Sequence, residues 1–213
     1  MKNKSSRSKL KNNINTKFVT FKQRKLYLFF IGIIILSFLF GLLFLAFLGP
    51  VSKDLVKTSL DQFFISINTN DLNYLSGFLN SIKSTVGVNL LIWTLGISII
   101  GIPFIIFINL FKSFTLGFTL SSIIYFYGFK GAIIAIIYLL PSLIIFLICL
   151  LTSLMALSFS RHLFNMIFRK KEIVFRNISR RYMKLLGIST VALMICSLIE
   201  IYVIPVILKT MIS

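Results

Sequence analysis

Residues 26–48 read LYLFFIGIIILSFLFGLLFLAFL, an apolar run with no charge in it, closed by Gly49-Pro50. A run of this length matches the roughly 20 residues a helix needs to cross the hydrocarbon core. It exceeds the about 7–15 apolar residues of a signal peptide, and no A-x-A pattern closes it. We therefore read it as an uncleaved first span. The rest of the 213-residue chain agrees: 57% of residues are hydrophobic, 13% are charged and mean hydropathy is +0.96. A soluble nucleic-acid binder of formal charge +18 would carry about a quarter charged residues, so nucleic acid is not an expected partner. Here the basic residues stand in blocks between apolar runs.

Outward from the first span, the pattern predicts an all-α, polytopic integral membrane protein with about five transmembrane helices. Residues 1–25 hold nine Lys or Arg and no acid, and form a basic tail. Residues 51–85 are locally neutral. Val56, Leu60, Phe63, Phe64 and Ile67 repeat at helical spacing, as do Leu75, Phe78, Leu79, Ile82 and Val86. The breaker Asn68-Thr69-Asn70-Asp71 separates them, which predicts an amphipathic helical pair too polar to span. Further spans are expected at about 86–110, 114–127, 132–159 and 185–208. The expected turns are at Lys112 and at Gly128-Phe129-Lys130-Gly131. Residues 161–184 carry eight basic residues against Glu172 and form a basic inner segment.

Charge orients this set. With the tail inside, the inner segments hold 18 Lys or Arg and the outer ones 5. Basic residues concentrate on the cytoplasmic side, so the N-terminus is expected inside and the C-terminus outside. The helical pair then lies on the extracytoplasmic face. It could lie flat on the outer leaflet or dock a partner, since both need the same pattern. The basic segments face anionic inner-leaflet lipid.

The chemical inventory argues against an enzyme. The only histidine is His162, the cysteines Cys149 and Cys196 stand in apolar runs, and the five acids are scattered. That provides no metal site, no cofactor site and no paired carboxylates.

Several motifs in order resemble the stage II sporulation protein M family. They are Asn89-Leu90-Leu91-Ile92-Trp93-Thr94-Leu95-Gly96-Ile97-Ser98-Ile99-Ile100-Gly101-Ile102-Pro103, then Phe111-Lys112-Ser113-Phe114-Thr115-Leu116-Gly117-Phe118-Thr119, Leu139-Leu140-Pro141 and Glu200-Ile201-Tyr202-Val203-Ile204-Pro205. The resemblance covers nearly the whole chain. Ser113 departs from it, standing where relatives tend to have Gly. The resemblance implies a scaffold in the mother-cell membrane during sporulation engulfment. It would gather two extracytoplasmic peptidoglycan hydrolases, a lytic transglycosylase and an amidase/endopeptidase. The rival class is a membrane subunit of a transporter or channel.

The residues singled out for partner contact or helix packing are Phe63, Phe64, Gly96, Gly101, Pro103, Gly117, Pro141, Glu200, Tyr202 and Pro205. Small-xxx-small spacing at Thr94/Ser98 and Gly117/Ser121 suits close helix approach, within the chain or in a homo-oligomer. Pro103 and Pro141 are expected to kink their spans. Glu200 is the only acid inside an expected span, and its own helix offers no cation three or four residues away. We expect it to bond another span, with Lys130 the nearest cation in depth.

Overall fold

The structure, a computed structural model, describes residues 28–68, 74–98, 100–169 and 175–212. The basic tail, the breaker at 69–71 and residues 170–174 of the inner segment lie outside the described residues. Helices form as the apolar composition dictates, because in lipid every backbone donor and acceptor must be satisfied within the segment. They are α1 (Leu28–Phe47), α2 (Pro50–Asn68), α3 (Tyr74–Ile97), α4 (Gly101–Arg169) and α5 (Phe175–Ile212). Among the described residues there is no strand.

At Gly128 (φ 59°, ψ −135°) α4 leaves helical geometry. A side chain at this φ and ψ is strongly disfavoured, so glycine is what permits the bend. The bend divides α4 into α4a (101–127) and α4b (129–169). Cross-contacts fix the direction of the two limbs. Asn109 Nδ2 donates to Ser153 Oγ at 2.7 Å, the Lys112 ammonium reaches Cys149 Sγ at 3.6 Å, and Ile123 packs with Ile134. One index rises as the other falls, so α4 is an antiparallel helical hairpin with Gly128 at its tip. The sequence-derived turn at 128–131 is therefore present.

The same reading places α5 antiparallel to α4b. Tyr182 stacks on Phe159, Leu193 packs with Cys149, and Ser142 bonds Glu200. Along α3, Val86 clusters with Ile145, a Cβ on Gly96 would meet Ala156, and the Ser98 carbonyl accepts from Ser160, so α3 runs parallel to α4b. Three apolar clusters line the bundle axis. Ile123, Ile134 and Ala135 lie at the tip; Val86, Ile145, Cys149 and Leu193 in the middle; Ile92, Ile105, Ala156, Phe159 and Tyr182 at the far end.

Two boundaries differ from the sequence reading. Lys112 is not a turn: α4a runs through it as unbroken helix, because the lysine finds a partner inside the bundle. The turn lies instead at residues 98–100, where Ser98 N–H donates to Leu95 O and Gly101 N–H donates to Ser98 O. A Cβ on Gly101 would overlap the Leu95 carbonyl, so the turn closes only on glycine. Consequently α3 absorbs both the second half of the expected outer pair and the start of the expected second span. Pro103 does not kink a span. It sits in the first turn of α4, where its missing N–H leaves no intrahelical bond unmade. Pro141 lies inside α4b without breaking it.

The crossing of α1 with α4a brings two helix backbones into close contact. Ser37 Oγ donates to Leu110 O at 2.8 Å, and Ser113 Oγ donates to Ile34 O at 2.9 Å. A Cβ on Gly41 would overlap the Phe114 carbonyl oxygen, and one on Gly117 the Phe38 carbonyl oxygen. Ser37-xxx-Gly41 and Ser113-xxx-Gly117 thus mirror each other, each serine bonding the carbonyl three residues before its counterpart. Each pairing recurs four residues further along both helices, Ser37–Leu110 with Gly41–Phe114 and Ile34–Ser113 with Phe38–Gly117, so α1 runs parallel to α4a. Phe40 and Phe44 close over Phe114 and Phe118 beside the crossing. Ser113 occupies helix, not a turn of positive φ, and its hydroxyl gives it a bond that glycine lacks.

This crossing predicts that Gly41→Leu and Gly117→Leu each sharply lower the folded abundance of the protein, whereas Leu116→Ile leaves it unchanged. Removing both hydroxyls by Ser37→Ala with Ser113→Ala should cost about 1–2 kcal/mol in a detergent or steric-trap unfolding assay, the range for interhelical hydrogen bonds in lipid.

Candidate functional site

Two regions concentrate polar chemistry or open surface. The first lies at the hairpin tip. Helix α2 starts at Pro50, where a proline N–H is not needed, and carries the apolar stripe that includes Leu60 and Phe64. These two pack on the tip cluster. Tyr127 Oη donates to an Asp61 carboxylate oxygen, Phe64 meets the Tyr127 ring edge-on at 4.9 Å, and Lys53 sits over the Tyr125 ring at 5.4 Å. Between α2 and the tip lies a cavity of about 150 Å³ lined by Leu60, Phe63, Phe64, Thr119, Ile123, Ile134 and Tyr138. Val51, Leu55 and Ile65 stay largely exposed, and Phe63 is 45% exposed. The expected amphipathic character of this segment is therefore present in α2, half committed to the bundle and half open.

The second region is a column of polar side chains inside the bundle. Asn89, Asn109, Ser153 and Ser189 come from four different helical segments and meet at one level. Asn89 Nδ2 donates to Ser189 Oγ at 3.0 Å, matching the 2.7 Å Asn109–Ser153 bond. Both asparagines are fully buried. Toward the tip follow Lys112 with Cys149, the fully buried Ser197, and Ser142 Oγ donating to Glu200 Oε1 at 3.4 Å.

The singled-out residues do not form one site. Phe63 and Phe64 belong to the α2 cavity. Gly117 belongs to the α1 crossing, and Gly101 to the 98–100 turn. Gly96 is buried against Ala156 and the Tyr182 hydroxyl, which itself donates to the Trp93 carbonyl at 2.8 Å. Pro103 is exposed and Pro141 half-buried. Glu200 bonds another helical segment through Ser142, and Lys130 is an exposed residue of the tip. Tyr202 is half exposed near the end of α5, and the side chain of Pro205 lies outside the described residues. Thr94 bonds carbonyls of its own helix, as does Ser121, so neither expected small-residue pair is the close contact.

Sequence reasoning passed over Asn89, Asn109, Lys112 and Ser142. The available signal was an amide or ammonium inside an apolar run, which lipid tolerates only when it faces the protein interior. Among the described residues no cluster of three metal-ligating side chains occurs.

Glu200→Gln keeps an acceptor for Ser142 and should retain most folded abundance, whereas Glu200→Ala leaves the Ser142 hydroxyl without its acceptor and should reduce it markedly. Fluorescence-detected size exclusion of tagged variants measures both. Equal, normal abundance of the two would show that the bond to Ser142 contributes nothing.

A comparison with protein families matches residues 26–205 to Stage II sporulation protein M. No curated protein and no solved structure gives a significant match. The family match runs from just before α1 to the last turns of α5 and so takes in both the α2 cavity and the polar column; the chain belongs to the Stage II sporulation protein M family.

Proposed function

We propose that the protein is a non-catalytic membrane scaffold of sporulation engulfment, which recruits and positions extracytoplasmic peptidoglycan hydrolases. The observation that carries this reading is the family match across residues 26–205. The partners would be a lytic transglycosylase and an amidase/endopeptidase, and the site of action the mother-cell membrane.

Five crossings are the arrangement we infer. Among the described residues, three stretches are long and apolar enough to span on their own: Leu28–Phe47, Gly101–Phe164 and Tyr182–Tyr202. The middle stretch is folded back at Gly128, so it supplies two crossings. α3 has 24 residues, about 36 Å at 1.5 Å per residue, which covers a core roughly 30 Å thick. It is also packed between α4 and α5. Helix directions support alternation: α1 and α4a run one way, α3 and α4b the other, and α5 returns. In this arrangement the end bearing the 1–25 tail and the 161–184 segment holds 17 Lys or Arg, against Lys53, Lys57, Lys130 and Lys209 toward the hairpin-tip end, with Lys83 within α3 and Lys112 within α4a. The positive-inside rule puts the tip, α2 and the end of α5 outside. The exposed face of α2, with Val51, Leu55, Phe63 and Ile65, is the surface we assign to partner docking.

A second reading, a membrane subunit of a transporter or channel, draws on a specific observation: Lys112 and Glu200 both stand inside the bundle. Intramembrane ionisable groups commonly mark ion or substrate paths.

Two measurements separate these readings. In a variant lacking Cys149 and Cys196, Ser59→Cys on α2 should react with an impermeant thiol reagent in intact cells, and Ser179→Cys only after permeabilisation. The reverse pattern overturns the orientation. Tagged protein purified from sporulating cells should bring down two wall hydrolases, and Phe63→Ala with Leu55→Ala should reduce that recovery at unchanged abundance. Recovery of an ATPase in their place supports the transporter reading.

A further inference from the structure

We propose that the bundle encloses a water-filled half-channel, open at the hairpin tip and closed toward the 98–100 turn, which carries water to the asparagine layer in mid-bundle. The mouth is the cavity beneath α2, where Tyr138 contributes to the lining. One turn deeper on α4b, Ser142 bonds Glu200. Then come Ser197, the Lys112–Cys149 contact, and the layer of Asn89, Asn109, Ser153 and Ser189. Beyond that layer Ile92, Ile105, Ala156, Phe159 and Tyr182 pack together, the first three fully buried; the hydroxyls there bond backbone, Tyr182 Oη to Trp93 O and Ser160 Oγ to Ser98 O, and Trp93 Nε1 is buried without a partner among the described residues.

The stoichiometry of donors and acceptors points to the occupant. Asn89 Oδ1, Asn109 Oδ1 and Ser197 Oγ are buried with no hydrogen-bond partner among the described residues. A bare buried amide oxygen is costly, and here the column holds two. The local hydroxyls are already committed: Ser153 donates to Cys149 O, and Ser189 donates to Leu186 O. The missing component is a small hydrogen-bond donor. Lys112, one turn away, repels a cation from this position, so the donor is neutral. Water fits, since it can donate to a buried amide oxygen and still accept from a neighbour, and a buried water typically makes about 3 such bonds. The same hydration accounts for a lysine and a glutamate at this depth, because charges inside a membrane protein persist where they face one another or a water-filled cavity.

Cys149 is a native reporter, fully buried and one turn from the layer. Its S–H stretch falls in an otherwise empty infrared window, and Cys196→Ala leaves it the only thiol. The full chain in nanodiscs is transferred to D2O, with backbone amides of the helices as the internal clock for unfolding. The expected result is S–H to S–D conversion within minutes while those amides stay protonated. Asn89→Leu with Asn109→Leu should slow the conversion by an order of magnitude or more. If that double variant does not fold, Ser142→Val, which narrows the path nearer the mouth, should slow it instead. Persistence of the S–H band for as long as the amides overturns the proposal, as does fast conversion that the substitutions leave unchanged. Two further arms address the occupant and the closed end. Potassium or ammonium chloride should protect no better than choline chloride at equal ionic strength; specific thermal stabilisation by either cation overturns the assignment to water. Proteoliposomes of the native protein should hold a pH gradient as long as protein-free vesicles, and rapid collapse would show that the far end is open.

Discussion

The fold-back of α4 at Gly128 places nearly everything else. One residue in a conformation that only glycine adopts readily turns a 69-residue helix into two antiparallel limbs. The limbs then face each other along their length, and that face receives α3 and α5. Lipid offers no hydrophobic drive between helices, so their association depends on close packing and on bonds between side chains. Both kinds occur here. At the α1 crossing the backbones meet at Gly41 and Gly117 and two serine–carbonyl bonds join them, whereas between α3, α4 and α5 the bonds run between side chains. α1 is attached through one face, with Phe29, Leu36 and Phe47 exposed.

The legibility of this architecture in the sequence varied with the physical signal. Helical class and the span at 26–48 follow from hydropathy alone. The tip turn was legible because Gly128 and Gly131 bracket a lysine at an apolar boundary. The inner turn was not, because it contains no charge: Ser98, Ile100 and Gly101 look like any apolar run. A charge-based reading puts the boundary at Lys112 instead. Pro103 carried the correct information, since proline is favoured in the first turn of a helix and disfavoured later. It was weighed as a kink because the span was assumed to have begun already.

The packing residues were legible in kind but not in pairing. Gly117 was identified from small-residue spacing, yet its functional partner in the motif is Ser113, not Ser121. Spacing of four recurs by chance wherever Ser, Thr and Gly are frequent. What distinguishes Ser113-xxx-Gly117 is a matching Ser37-xxx-Gly41 on another helix, 76 positions earlier. That correspondence becomes visible only once the two helices are known to cross. Likewise Glu200 bonds another span as expected, but Ser142 could not be named as its partner from depth arithmetic, because a serine in an apolar run carries no charge to mark it.

The α2 cavity joins the two functional proposals physically. Phe63 on its α2 side belongs to the face assigned to partner docking, while Tyr138 on the α4b side begins the polar column. Helix α2 is held there by the Asp61–Tyr127 bond and by ring contacts, none of which reaches deep into the bundle. Its attachment is thus weaker than that of α3 or α5, each of which is buried over many turns. A partner seated on the exposed face of α2 would press it onto the tip and close the cavity; withdrawal of α2 would widen it. Hydration of Glu200 and Lys112 would then follow the docking state of the outer surface. A protein whose proposed task is to hold partners outside the membrane would carry, in this column, an element whose solvation depends on whether they are held.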